Sequence, residues 1–124
     1  MRDSDFSVKD QVLKEFLEFT KSLQEKRQVQ IQVQMLNHDV PQDCDPDMID
    51  IIQKACEERQ IPFHKMVSGA YHDAMLVSRF APIGMIFVPS KEGISHSPAE
   101  WTDTIDIVKG VNILTDTLYN LAAK

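Results

Sequence analysis

Ile83-Gly84-Met85-Ile86-Phe87-Val88 is the longest uninterrupted apolar run in this chain. A strand with one wet face alternates apolar and polar residues, so a continuous run reads as a strand buried on both faces at the centre of a sheet. Upstream, His72 to Phe80 is apolar almost all round, which suits a buried helix, and Phe63 to Val67 reads as a short strand. Further back, Asp45 followed by Pro46 is a helix start, a capping carboxylate with proline at the first helical position. Met48, Ile49, Ile52, Ala55 and Cys56 supply that helix with a buried face, and Pro62 stops it. Downstream, Ser97-Pro98-Ala99-Glu100 has the form of a capping box, with Thr102 as a competing start. Ile105, Val108, Val111, Leu114, Leu118 and Leu121 carry the last helix. Helices alternating with buried strands predict an α/β layer with parallel pairing.

The pattern is different before Pro41. Ser7, with Asp10 three residues on, predicts a helix start. Val8, Val12, Phe16, Phe19 and Leu23 then form one apolar stripe. Gln28-Val29-Gln30-Ile31-Gln32-Val33-Gln34-Met35 alternates strictly, as a half-buried strand of an antiparallel sheet does. A helix and one such strand make half of an α+β sandwich. Two segments are therefore expected, residues 1–40 and 41–124.

Composition narrows the function. A net charge of −6 disfavours nucleic acid or an anionic membrane surface as partner. No apolar run approaches the roughly 20 residues that span a bilayer, and the charged N-terminus does not read as a secretory signal. Cys44 and Cys56 have no metal-ligand spacing, which suits reduced thiols in a cytoplasmic protein.

The residues able to do chemistry fall at strand ends. His72 follows the turn Ser68-Gly69-Ala70-Tyr71, and His96 lies in Gly93-Ile94-Ser95-His96-Ser97, after the most buried strand. Ligands of open α/β sheets bind at the carboxyl ends of strands, so both histidines are expected together at that edge. Imidazole is a good zinc donor when its second nitrogen is held, and Ser95, Ser97 and Glu100 are the local candidates to hold it. On spacing alone, His96 between two serines reads as an exposed loop residue. His72-Asp73 likewise reads as a helix-start pair, with Asp73 favoured by the dipole. His38 and His64 read as surface residues.

The order and separation of Ser68-Gly69-Ala70-Tyr71-His72-Asp73-Ala74, the apolar run and Gly93-Ile94-Ser95-His96-Ser97-Pro98-Ala99-Glu100 resemble the C-terminal part of a family of zinc amidohydrolases. That family comprises allantoate amidohydrolase, N-carbamoyl-L-amino acid hydrolase and the β-ureidopropionases. The resemblance implies a zinc-peptidase-like α/β catalytic domain in residues 41–124, and the second half of a lid, or dimerisation, domain in residues 1–40. It implies hydrolysis of a linear amide or ureido C–N bond in a small carboxylate-bearing substrate, a step of purine breakdown for allantoate. Two zinc ions, with manganese or cobalt as substitutes, are held in the family by five side chains. Only the last ligand falls in this sequence, as His96, and the general-base glutamate falls outside it. His72 becomes a substrate-binding residue. Arg2 in Arg2-Asp3-Ser4 becomes the clamp on the substrate carboxylate, a task suited to the forked guanidinium. Tyr71 departs from the family, where glycine is common, and places substrate identity in question.

Three readings follow: a segment of such a hydrolase, inactive by itself; a non-catalytic interaction or assembly module; and a segment of a related metallo-aminoacylase or peptidase. The apolar faces of the helix after Ser7 and of the strand after Gln28, short of partners, predict a homodimer or larger oligomer.

Overall fold

The computed structural model describes residues 3–37 and 39–123. Arg2 and His38 lie outside the described residues. The chain forms two compact units, Met1–Asp43 with Val67–Met75, and Cys44–Met66 with Leu76–Lys124.

In the first unit α1 runs from Phe6 to Arg27. Its cap is Asp5 rather than Ser7. The Asp5 carboxylate accepts from the backbone N–H groups of Ser7 (2.8 Å) and Val8 (3.4 Å) and from the Ser7 hydroxyl (2.6 Å). These bonds, the Ser7 hydroxyl first, hold the Asp5 carboxyl below its ordinary range. Lys26 and Arg27 sit in the last turn, where the helix dipole favours cations. Gln28 ends the helix in the left-handed conformation.

The face of α1 that packs differs from the expected stripe. Lys9 and Thr20 are buried, with Phe6, Leu13 and Leu17 half-buried beside them, whereas Val8, Val12, Phe16 and Phe19 of the expected stripe are 43–61% exposed and its Leu23 is half-buried. The Lys9 ammonium donates to the Asp39 carbonyl and lies 4.8 Å from the Phe6 ring centroid, which compensates its burial. The expected strand 28–35 forms no ladder, and its first residue, Gln28, is left-handed. Its Ile31 N–H donates to the Gln24 side chain (2.8 Å) instead of to a neighbouring strand.

In the second unit α2 spans Pro46–Glu58 and α4 spans Thr104–Ala122. The start of α2 is as expected: Asp45 caps it, accepting from the Met48 N–H at 3.1 Å, with Pro46 in the first turn. The helices pack on each other around Ala55, Cys56 and Ile113, with Ile52, Ile61 and Ile86 against them. The buried Thr117 hydroxyl donates to the Ile113 carbonyl (2.7 Å), so its polarity is satisfied inside the helix. Across the pair, the Arg59 fork grips Asp116, with Nη2 to Oδ1 at 2.9 Å and Nε to Oδ2 closer still. This hydrogen-bonded contact keeps the Asp116 carboxyl below its ordinary range and raises Arg59. As on α1, the expected α4 stripe of Ile105, Val108, Val111, Leu114 and Leu118 is 47–62% exposed, and only Leu121 is half-buried.

Ile83 to Val88 forms no ladder, and burial falls along it from buried Ile83 through half-buried residues 84–86. The Ile83 carbonyl accepts from the Asp45 N–H (2.8 Å). A Cβ on Gly84 would stand 3.0 Å from Ile52 Cδ1 on α2, and one on Gly110 of α4 would stand 2.6 Å from Val88 Cγ1. The run thus lies across both helices, while Phe87 and Val88 remain exposed.

No β-ladder occurs among the described residues, so the expected α/β layer and α+β half are represented by helices and segments without regular structure. A strand exists by pairing, and no ladder forms along residues 28–35, 63–67 or 83–88, where the Asp45–Ile83 bond is a single contact. The expected helix 72–80 is reduced to one turn, α3 (Ala74–Val77), with Leu76, Val77 and Phe80 exposed. No helix is long and apolar enough to cross a membrane among the described residues.

Candidate functional site

His96 is carried by a loop that fastens its own ends. A 3-10 turn at Lys91–Gly93 follows Ser90, and Glu92 and Gly93 both take left-handed backbone, with φ of 57° and 69°. The Lys91 N–H donates to the Trp101 carbonyl (2.8 Å), and the Ser90 hydroxyl donates to the Ile94 carbonyl. The Trp101 indole N–H donates to Asp103 (3.2 Å), the residue that precedes α4. Between these ties the backbone of His96 is itself left-handed, with φ of 55°. That conformation costs a non-glycine residue about 1–2 kcal/mol. It is held by Glu100, whose carboxylate accepts from the His96 backbone N–H at 2.7 Å. The His96 imidazole is exposed.

The capping box expected at Ser97–Glu100 is therefore a turn. Glu100 bonds back four residues, the Ser97 hydroxyl accepts from the Ala99 N–H (3.3 Å), and α4 begins only after Asp103. Of the candidates to hold the ring of His96, Glu100 holds its backbone instead, and the Ser97 hydroxyl accepts from the Ala99 N–H.

His72 belongs to the first unit and His96 to the second. His72 is half-buried ahead of α3, and its carbonyl accepts from the Met75 N–H at 2.9 Å. Its Nε2 is 2.7 Å from the Ser68 hydroxyl, which also accepts from the Ala70 N–H at 3.3 Å. Ser68 was not visible as a partner from composition, although a serine four residues before a histidine across a glycine turn is the signal. Gly93 needs its conformation, whereas a side chain on Gly69 would meet open space. Tyr71 is exposed beside the histidine.

Among the described residues no three His, Cys, Asp or Glu side chains are grouped so as to hold a metal ion. Zinc sites use three or four protein ligands, so His96 here is at most one donor of a larger set. The described residues do not by themselves fit a zinc pair.

Known proteins place this geometry. Residues 6–120 match Peptidase family M20/M25/M40. The chain is 34% identical over 122 residues to the N-carbamoyl-L-amino acid amidohydrolase of Geobacillus stearothermophilus, covering 98% of this chain and 30% of that one. It is 50% identical over 68 residues to the allantoate amidohydrolase of Bacillus subtilis (strain 168), covering 55% of this chain and 15% of that one. The crystal structure of AtUAH in complex with glyoxylate superimposes with a TM-score of 0.87 at 32% identity, over 97% of this chain and 29% of that chain. The chain spans less than a third of the length of the curated relatives it matches. With a match over nearly its whole length, this chain belongs to Peptidase family M20/M25/M40.

Proposed function

We propose that this chain is a C-terminal segment of a metal-dependent amidohydrolase that cleaves a linear amide or ureido C–N bond in a small carboxylate-bearing substrate, of the allantoate or N-carbamoyl amino acid type. The observation that carries the reading is the likeness to amidohydrolases across 98% of the chain, which includes both histidine motifs. In this reading residues 1–40 belong to a lid domain and residues 41–124 to the catalytic domain.

His96 contributes one metal donor, zinc being the ion that best suits an imidazole-containing set, with manganese or cobalt as substitutes. Its exposed ring on a fastened loop supports that role. His72 contacts a substrate oxygen through its ring, and Arg2 pairs with the substrate carboxylate through two parallel N–H donors. The remaining donors and the general base come from sequence outside this chain, so the chain alone is inactive.

The experiment joins the chain to the preceding part of a relative and follows ammonia release from allantoate and from N-carbamoyl amino acids. Turnover by the joined protein, abolished by His96→Ala and reduced by at least tenfold in His72→Ala, is the expected result. Chelator-sensitive turnover by the isolated chain would show that the ligand set is complete within it, and a joined protein indifferent to His96→Ala would remove the metal role.

A further inference from the structure

We infer that Ser68 is a positioning residue that sets which nitrogen of the His72 imidazole carries the proton. The inference rests on the proposed substrate role of His72 only for its functional meaning. The geometry stands apart from it.

A serine hydroxyl has one proton to donate and two lone pairs. One lone pair of Ser68 is engaged by the Ala70 N–H at 3.3 Å, a bond within the turn itself. His72 Nε2 lies 2.7 Å from the same oxygen, the usual separation of a strong hydroxyl hydrogen bond. Two arrangements fit that separation. If Nε2 carried the hydrogen, Ser68 would accept twice and its own proton would need a third partner at this half-buried position. If Nε2 is the acceptor, the Ser68 proton and one of its lone pairs are both used. Buried polar groups strongly favour the second arrangement.

The ring proton then sits on Nδ1, and the orientation of the ring is fixed because its Nε2 is tethered to the turn that begins α3. The second nitrogen of a histidine is commonly set by what the first one binds. The site thereby gains a histidine of defined donor polarity. The hydroxyl that sets it lies four residues upstream.

The test uses the full 124-residue chain, labelled with nitrogen-15, in mildly alkaline solution. Long-range proton–nitrogen correlation spectra distinguish a protonated from an unprotonated ring nitrogen. In the unsubstituted chain the Nδ1–H form of His72 should predominate. Ser68→Ala should lower the ratio of Nδ1–H to Nε2–H by about tenfold, the weight of one hydrogen bond. Ser68→Thr, which keeps the hydroxyl, should restore it. Predominance of Nε2–H in the unsubstituted chain overturns the inference, and so does a ratio equal in all three proteins. Should Ser68→Ala disturb the fold, seen as displaced amide signals of α1, the unsubstituted chain and Ser68→Thr still decide the matter. Because no turnover is measured, failure here is distinguishable from failure of the proposed hydrolase reading.

Discussion

Replacing Gly110 by alanine should destabilise the second unit, although the same change in an open helix would stabilise it. Gly110 lies inside α4, and a methyl group there gains about 1 kcal/mol of helix propensity. The new Cβ would, however, stand 2.6 Å from Val88 Cγ1. Carbon atoms attract best near 3.5–4.0 Å, so the contact is about 1 Å too short. Valine is stiff at its first side-chain torsion and cannot easily turn away. Overpacking of this kind costs about 1–3 kcal/mol, which exceeds the helical gain and leaves a net loss of about 1 kcal/mol. In urea unfolding followed by far-ultraviolet circular dichroism, that loss lowers the midpoint by roughly half a molar at an unchanged slope. Val88→Ala removes the opposing methyl groups. In that background Gly110→Ala should raise the midpoint, giving a coupling of about 2 kcal/mol in the double-mutant cycle. Equal stabilisation in both backgrounds would refute the packing of Val88 on α4.

The other predictions concern acid, thiols and association. The Asp116 carboxyl is held below its ordinary value of 3.8 by Arg59, so its stabilising effect is present above the carboxylate range and is lost as pH falls through the lowered value. Between about pH 5 and pH 3 the unsubstituted chain should therefore lose more urea resistance than Asp116→Asn, and parallel losses would show the pair to be inert. Cys56 is buried and its thiol is pushed up by desolvation, whereas Cys44 is half-exposed; a thiol reagent should label Cys44 in the folded chain and Cys56 only with urea. Equal labelling rates would contradict the core position of Cys56. The chain should associate through the exposed face of α1, and Phe16→Glu with Phe19→Glu should shift its sedimenting mass toward the monomer. A monomeric unsubstituted chain at tens of micromolar would dispose of that expectation.

The start of α2 was legible from Asp45-Pro46 because capping is a matter of a few adjacent residues. The choice of packing face was not. Both α1 and α4 carry more than one apolar row, and periodicity identifies the rows without saying which meets a neighbour. On α1 the row with Leu13 and Leu17 packs, and Lys9 joins it because its ammonium finds a carbonyl and a ring. The alternation of residues 28–35 predicts a strand that does not form, because pairing depends on a second segment that local sequence does not contain. His72 and His96 stood out through resemblance to a family, since a histidine beside a serine carries little information by itself. Their partners Ser68 and Glu100 each lie four residues away, close enough to read in the sequence once the turns are known.

The self-fastened loop around His96 has an energetic consequence for whatever that imidazole binds. Ordering a flexible segment at the moment of binding subtracts from affinity, at about 1–2 kcal/mol for each backbone residue fixed. Here the left-handed turns at Glu92, Gly93 and His96, the Lys91–Trp101 tie and the Glu100 carboxylate have already arrested the backbone. The backbone conformational entropy is surrendered during folding, so the backbone that carries the imidazole is preorganised and less of a ligand's contact energy is spent on ordering it. Cutting the Glu100 link releases that restraint without touching the imidazole, and the weakening of binding it produces should appear chiefly as an entropic loss.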